Sequence, residues 1–387
     1  MNQKSFLKDV FICSLGAYGG PEAHYSVFTD QLVLRKGYLS EEELIELIAL
    51  CGILPGPSST QTIVAIGYKL GGPKLGLLAM LVWALPVLTV MTFLSFLYQL
   101  LSYYNMPEDW LRYVSPMAVG FILVAAWRIG RKVIIDKLTA GLMIMAALAT
   151  YFVREPWIFP LVLLSGGAIT VFVARQKDLW NRVPLHPPWK YLVVFFFLAI
   201  TGIILTITWD HLLVHLYESF YRYGYLVFGG GQIVVPVMHS ELVEVRGYMT
   251  NEEFLTGYGL VQGLPGPMFS FAAYAGGMAA RGSTFWVQLA GAMLGGMGIF
   301  LPGMLLIYFI YPVWENMKKI KGIRISLKGI NAVAGGLIAI AAVILLEKTP
   351  WTADNLVIIL LTGVLLLTRK VPAPLIVGLV LAAGFVI

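Results

Sequence analysis

The sequence predicts an all-α polytopic membrane protein made of two inverted-topology repeats with re-entrant or broken helices. Three observations predict it: a composition too apolar for water, an internal repeat at fixed spacing, and paired glycine and proline interruptions inside apolar runs. Of 387 residues, 58% are hydrophobic and 12% charged, with a mean hydropathy of +0.80. A water-soluble domain of this length has no means of burying that much apolar surface.

The runs Leu75 to Leu101, Leu138 to Val153, Ile158 to Ala174 and Tyr191 to Trp209 approach or exceed the roughly 20 residues that cross a hydrocarbon core. They lack the period-2 alternation of membrane strands, so helices rather than a barrel span the bilayer. Gly19-Gly20-Pro21 interrupts the first apolar stretch and no small-residue cleavage site follows, so no cleavable leader is expected. Cys13 and Cys51 have neither disulfide-framework nor metal-site spacing. The net charge of +6 is modest, and nothing in it points to nucleic acid.

Sliding the chain by 210 residues aligns Gly19 to Gly72 with Gly229 to Gly282 without a gap, giving 17 identities in 54 positions, far above chance. Shared landmarks are Gly37-Tyr38 with Gly247-Tyr248, Glu42-Glu43 with Glu252-Glu253, and Pro55-Gly56-Pro57 with Pro265-Gly266-Pro267. An offset of 216 then pairs Pro86 with Pro302 and Gly120 with Gly336. Residues 1–176 are therefore the first repeat, 177–211 a linker with its own transmembrane helix, and 212–387 the second.

In the first repeat, short helices are expected at about 5–18, 20–35, 41–53 and 57–71, each too brief to cross alone. Longer spans follow at about 74–102, 112–130, 137–153 and 157–175, and in the second repeat at about 284–312, 328–346, 355–368 and 371–387. This pattern returns the first repeat to its starting side, so the extra crossing at Tyr191 to Trp209 inverts the second.

Charge agrees, because lysine and arginine excess marks cytoplasmic loops. Expected inside are Arg128, Arg131, Lys132 and Lys137, then Arg175, Lys177, Arg182 and Lys190, then Lys318, Lys319, Lys321, Arg324 and Lys328. Opposite them lie Glu108 and Asp109, Asp210 and Glu218, and Glu347 and Asp354 around Lys348. The amino terminus is expected to be cytoplasmic, the carboxyl terminus extracytoplasmic, and Ser14 and Lys190 accessible from inside.

Inverted-repeat carriers hold substrate near the midplane between discontinuous helices. In Pro55-Gly56-Pro57 a proline ends one helix, glycine reverses the chain, and the second proline suits the first position of the next helix. The half-helix that follows offers free N–H groups and the positive end of its dipole to an anion. Ser58, Ser59 and Thr60 add hydroxyls there; the second repeat has Pro265, Gly266 and Pro267 followed by Met268, Phe269 and Ser270. Gly19, Gly20 and Pro21, with Gly229, Gly230 and Gly231, read as the same device at the other hairpin. Neutral amides suit a dianion that must also be released, because charged side chains at that depth are costly and bind too tightly. The competing reading is that each break is only a kink or a close-packing glycine.

Ser40 with Glu43 and Thr250 with Glu253 fit the capping box, which accounts for the acids around them without a proton site. Glu22 and His24 follow the Gly-Gly-Pro break and are candidates for coupling, with Gln232 at the matching place, against a packing role. Arg35, Lys36 and Arg246 suit a helix C-terminus. His211 and His215 are four apart without a further ligand, so neither metal nor cofactor is expected. No Walker loop or Ser-His-Asp signature occurs, which leaves no basis for an enzyme.

At these motifs the chain resembles the chromate ion transporter family, in its long-chain, two-domain form. Tyr18-Gly19-Gly20-Pro21-Glu22-Ala23-His24 and Leu54-Pro55-Gly56-Pro57-Ser58-Ser59-Thr60-Gln61 look like its amino-half signatures. Phe228-Gly229-Gly230-Gly231, Gly257-Tyr258-Gly259 and Gln262-Gly263-Leu264-Pro265-Gly266-Pro267-Met268-Phe269 resemble the carboxyl half. The resemblance implies a secondary transporter exporting chromate across the inner membrane, with sulfate as the look-alike dianion. Gly52 and Gln232 depart from the glutamine and histidine common in the family. A sulfate or other oxyanion permease, proton-coupled, and a passive anion channel are the alternatives. The expected partners are the oxyanion and the lipid bilayer, with a homodimer left open.

Overall fold

The computed structural model describes residues 2–104, 109–153, 155, 157–174, 179–180, 184, 186–226 and 234–386; among them there is no strand. The chain opens with α1 (Gln3–Gly16), α2 (Pro21–Phe28) running into a π-helix (Thr29–Arg35), α3 (Glu41–Ile53) and the long α4 (Ser58–Tyr103). Next come α5 (Val114–Val133), α6 (Lys137–Phe152), α7 (Ile158–Val173) and the linker helix α8 (Trp189–Thr208). The second repeat contributes α9 (Leu212–Leu226), α10 (Val234–His239) with a π-helix (Ser240–Val245), α11 (Asn251–Gln262) and α12 (Phe271–Ala279). It closes with α13 (Phe285–Gly298), α14 (Leu301–Ile310), the single turn α15 (Trp314–Met317), α16 (Lys321–Lys348), α17 (Ala353–Thr368) and α18 (Ala373–Val386).

Among the described residues, five helical stretches are long and apolar enough to cross a bilayer: Ser58–Leu101, Val114–Val133, Trp189–Thr208, Phe285–Met317 and Lys321–Lys348. Large apolar side chains on α8, among them Phe197, Ile204 and Ile207, face outward, where lipid rather than protein covers them. The chain is a multi-pass membrane protein.

Local structure repeats with the sequence. Each capping box closes: Ser40 Oγ accepts from Glu43 N at 3.2 Å, and Thr250 Oγ1 accepts from Glu253 N at 3.1 Å. Both glutamates bond back to the cap amide at 2.8 and 2.7 Å, and each also pairs with a base, Lys69 in one repeat and Arg281 in the other. Tyr38 N donates to Leu32 O and Tyr248 N to Leu242 O, both at 2.8–2.9 Å, closing the two π-helices over Gly37 and Gly247. Those glycines have φ of 59° and 61°, where a β-carbon is strained. At Gly71 and Gly72 the long α4 is broken by non-helical backbone, as the expected boundary between 57–71 and 74–102 requires.

The helices sort into two bodies. In one, α16 packs on α5, α6 and α7, while α17 and α18 pack on α5. In the other, α12 packs on α13 and α4, α1 and α3 on α4, α9 on α13, and α14 on α4 and α8. Every residue of α12 is buried, so this short apolar helix lies in the core of the second body.

Within the first body the halves exchange partners. A β-carbon on Gly120 would lie 3.1 Å from Ile359 O and 2.9 Å from Thr362 Cβ. Its counterpart Gly336 approaches Met143 and Ala146, the residues 216 positions before 359 and 362. Direction can be read along α5: Arg112 meets Asp354 at 3.0 Å, and Arg128 Nη2 donates to Leu366 O at 2.5 Å. Thus α5 and α17 run parallel, and α6 and α16 do likewise, since Ala146 lies by Gly336 and Thr150 by Ile344 and Leu345.

Two expectations need correction. Arg128, Arg131 and Lys132 belong to the last turns of α5 rather than a loop, and Lys321, Arg324 and Lys328 lie on α16. Cations complement the carbonyl end of α5, and at 28 residues, about 42 Å, α16 outreaches a ~30 Å core. Ser14 is fully buried and donates to Trp83 O at 2.7 Å, so it is closed to reagents from either side. Glu108, Arg175, Lys177 and Arg182 fall outside the described residues.

Gly336→Val is expected to force α6 and α16 apart and cost about 1–3 kcal/mol, read as a lower melting temperature in detergent. Gly141→Ala, where a β-carbon meets nothing within 4 Å, serves as the matched neutral control.

Candidate functional site

Two helices stop and restart inside the second body. Leu54 leaves α3 in an extended conformation, Gly56 turns at φ 133°, and α4 starts at Ser58. Gln61 N is the first amide to bond back into this turn, to Pro57 O at 2.8 Å, so the amides of Ser58, Ser59 and Thr60 precede the helical ladder. In the second repeat Gly266 turns at φ 104°, Pro267 is extended, and a 3₁₀ turn (Met268–Ser270) leads into α12. Both breaks are shielded: Ser58, Ser59, Thr60, Met268, Phe269 and Ser270 are all buried.

Space at each glycine is filled. A β-carbon on Gly56 would strike the Gln61 side-chain amide and lie 3.1 Å from Gly303 Cα. The Gln61 amide nitrogen donates to Pro55 O at 2.8 Å and to Gly303 O at 3.3 Å, clamping the first break against the start of α14. A β-carbon on Gly266 would come within 3.0 Å of Val87.

A third break joins them. Gly19 and Gly20 have φ of 87° and 98°, and Pro21 opens α2 with Glu22 on its first turn. Just before it, Ala17 O accepts from Gly266 N at 2.7 Å, a bond between the first and second halves. His24, 1% exposed, places Nδ1 3.0 Å from Ser59 Oγ and packs its ring edge-on to Trp83. Trp83 Nε1 donates to Thr60 Oγ1 at 3.2 Å, so one tryptophan links α1, α2 and the head of α4.

Among the described residues, four buried polar atoms around these breaks have no hydrogen-bond partner: His24 Nε2, Gln61 Oε1, Gln262 Nε2 and Ser270 Oγ. Unpaired polar atoms at such depth each cost about 1–3 kcal/mol and mark a place that expects a ligand or water. Beside the second break a small cavity of about 10 Å³ is lined by Val234, Met238, Tyr258, Met268, Phe269 and Ile299. Those side chains bring no charge.

Of the residues that the sequence singled out, the structure brings together Gly19, Gly20, Pro21 and His24 with Pro55, Gly56, Pro57, Ser58, Ser59 and Thr60, and with Pro265, Gly266 and Pro267. It separates Glu22 from His24: the glutamate is exposed while the histidine is buried two residues on. Gly229, Gly230, Gly231 and Gln232 lie outside the described residues. Sequence reasoning missed Ala17, Trp83 and Gly303, which lie in ordinary apolar stretches and signal nothing locally.

The chromate transporter family model matches two segments of the chain, residues 5–171 and 214–386. A chromate transport protein of Pseudomonas aeruginosa is 27% identical over 347 residues, covering 88% of this chain and 80% of that protein. A probable chromate transport protein of Synechococcus elongatus is 25% identical over 97% of this chain and 94% of its own length. A chromate transport protein of Cupriavidus metallidurans is 23% identical over 93% and 87%. No solved structure matches. With both halves matched and the paired breaks in place, the chain belongs to the chromate transporter family.

Proposed function

We propose that this chain is a secondary carrier that exports chromate, a tetrahedral oxyanion, across the inner membrane. The observation that carries the reading is the linkage of three chain breaks, two of them buried at Gly56 and Gly266, with donor-capable atoms left unpaired at His24 Nε2 and Ser270 Oγ. With Ser59 donating to Nδ1, the neutral His24 ring carries its proton on Nε2 and turns an N–H toward the guest. The leading amides of α4 and α12, at the positive ends of their dipoles, supply the remaining donors. Gly229, Gly230 and Gly231 complete the proposed set as the fourth break. Relatives named chromate transport proteins support the substrate.

The two halves are proposed to be inverted, with the amino terminus cytoplasmic. In support, α5 runs parallel to α17, and α17 returns from α16 through the short turn at 349–352. The equivalent helices α5 and α16 therefore point in opposite directions, which suits alternating access around a fixed central site.

Sulfate has the same charge and shape, and amide donors read those rather than the central atom. Competition distinguishes the two: sulfate that about halves labelled chromate flux at equal concentration makes this an unselective oxyanion carrier.

Three outcomes are expected. Inverted vesicles take up labelled chromate, and the Gly56→Val/Gly266→Val double variant loses that uptake while still inserting. Both glycines sit at positive φ against filled space, where strain is about 1–3 kcal/mol each; unchanged transport removes the site. In a chain with Cys13 and Cys51 replaced by serine, an impermeant thiol reagent is expected to label Lys190→Cys from the cytoplasmic side and Asp210→Cys from the other. Both residues are exposed at opposite ends of α8, and a reversed result overturns the orientation. Ser59→Ala, which removes the partner of His24 Nδ1, is expected to weaken chromate affinity about tenfold, the worth of one hydrogen bond of ~1.4 kcal/mol.

A further inference from the structure

Each half buries one carboxylate in the same place, but on different helices. In the first half Asp9 of α1 accepts from Gln31 Nε2 at 2.8 Å and from Tyr38 OH at 2.6 Å, with Lys36 Nζ at 3.4 Å. Adding 210 to 9 and 31 gives Ser219 and Glu241, and Ser219 Oγ donates to Glu241 Oε1 at 2.8 Å. Acid and neutral partner have traded positions across the repeat. The π-helix that carries residue 31 or 241 is retained in both halves, and such bulges recur where a side chain must be aimed.

The two places differ in charge. Around Asp9 one acid faces one base. Around Glu241, which is 3% exposed, Arg222 Nη2 donates to both carboxylate oxygens at 2.9 Å. The same guanidinium also holds Glu218 through Nε at 2.6 Å and Nη2 at 3.0 Å. Two carboxylates sharing one guanidinium carry a net charge of −1. Next to them the Tyr223 side chain is fully buried, its ring 5.5 Å from the Arg222 guanidinium and its hydroxyl beside Glu241 without closing a hydrogen bond of ordinary geometry. An uncompensated negative charge is costly in a low-dielectric interior, and one added proton removes the excess.

We propose that Glu241, with Glu218 on the shared guanidinium, binds the proton that drives the carrier. A proton from water forms one O–H bond at a carboxylate oxygen of Glu241. Arg222 then stays paired with Glu218 alone, the cluster is neutral, and Tyr223 OH or Ser219 Oγ can accept the new O–H. Other charged or titratable groups near the cluster are Tyr225 on α9, Tyr248 and Arg246 after the π-helix, and Glu244, which is paired with Lys348 of α16. Beyond Arg246 lie His215 and Asp210, joined at 2.7 Å. None supplies a second cation to Glu241 itself among the described contacts.

The cluster has a packed route to the oxyanion site. Two residues after Arg222, Gly224 lies against Ile299 and Pro302, with room there for no β-carbon. The next residue, Gly303, is the one whose carbonyl accepts from Gln61 at the first chain break. Movement of α9 on protonation therefore reaches Gly56 through α14, a contiguous chain of close contacts.

The proposal rests on the carrier reading above, and the experiment separates the two. Purified protein in proteoliposomes, with membrane potential clamped, is assayed for chromate–chromate exchange at equal pH and for net chromate flux under a pH gradient. Wild type is expected to exchange, and its net flux to change several-fold with the gradient. Glu241→Gln is expected to keep exchange while the gradient response falls to none. Glu218→Gln, at a more exposed position that leaves Glu241 with its own arginine, is expected to shift the pH at which the response is half-maximal. The proposal is overturned if both variants keep the wild-type response, or if both lose exchange together with it, which marks a structural ion pair. It is also overturned if wild type exchanges chromate and ignores the gradient, an outcome that leaves the carrier reading standing. Absence of exchange in wild type removes the carrier reading itself.

Discussion

A helix interrupted within lipid leaves main-chain donors and acceptors that no water is present to satisfy. That constraint explains why the turns at Gly56 and Gly266 are buried and why the breaks use each other. Gly266 N is bonded to Ala17 O, so the turn in one half is completed by the chain just before the glycine pair in the other. Gln61 spends its side-chain amide on Pro55 O and Gly303 O, again reaching across halves. A broken helix in isolation costs several kcal/mol per unpaired group; here two halves are needed before either turn is viable.

The same constraint sorts what was legible in the sequence. Glycine at positive φ and proline at a helix start are local requirements, so Gly56 and Gly266 were readable one by one, and the repeat doubled their weight. The capping boxes at Ser40 and Thr250 are local in the same way and formed as expected. Trp83 was invisible because its role depends on three helices meeting it, not on its neighbours. The basic residues on α5 and α16 were placed in loops because charge patterning reports which side of the membrane a residue is on, not whether its backbone is helical.

The swapped carboxylates were hidden for a related reason. Asp9 aligned with Ser219 and Gln31 with Glu241 look like two unrelated substitutions in the repeat. In space they are one feature, because either position of the pair delivers an acid to the same point between the first helix and the π-helix. One half has a second acid, Glu218, and an arginine that both acids share, while the other half has a simple pairing. Likeness of fold between the halves therefore does not entail likeness of task.

The partner exchange between α5 and α17, and between α6 and α16, carries a mechanical consequence. Halves defined by the sequence repeat cannot separate there without tearing helices from both. Beside the interlocked bundle of α5–α7 with α16–α18 lies the assembly of broken helices. The seam between them is held by α11 on α5 and α18 and by α10 on α16. Each body is thus a mosaic of both repeats, and the boundary between the two appears nowhere as a boundary in the amino-acid order.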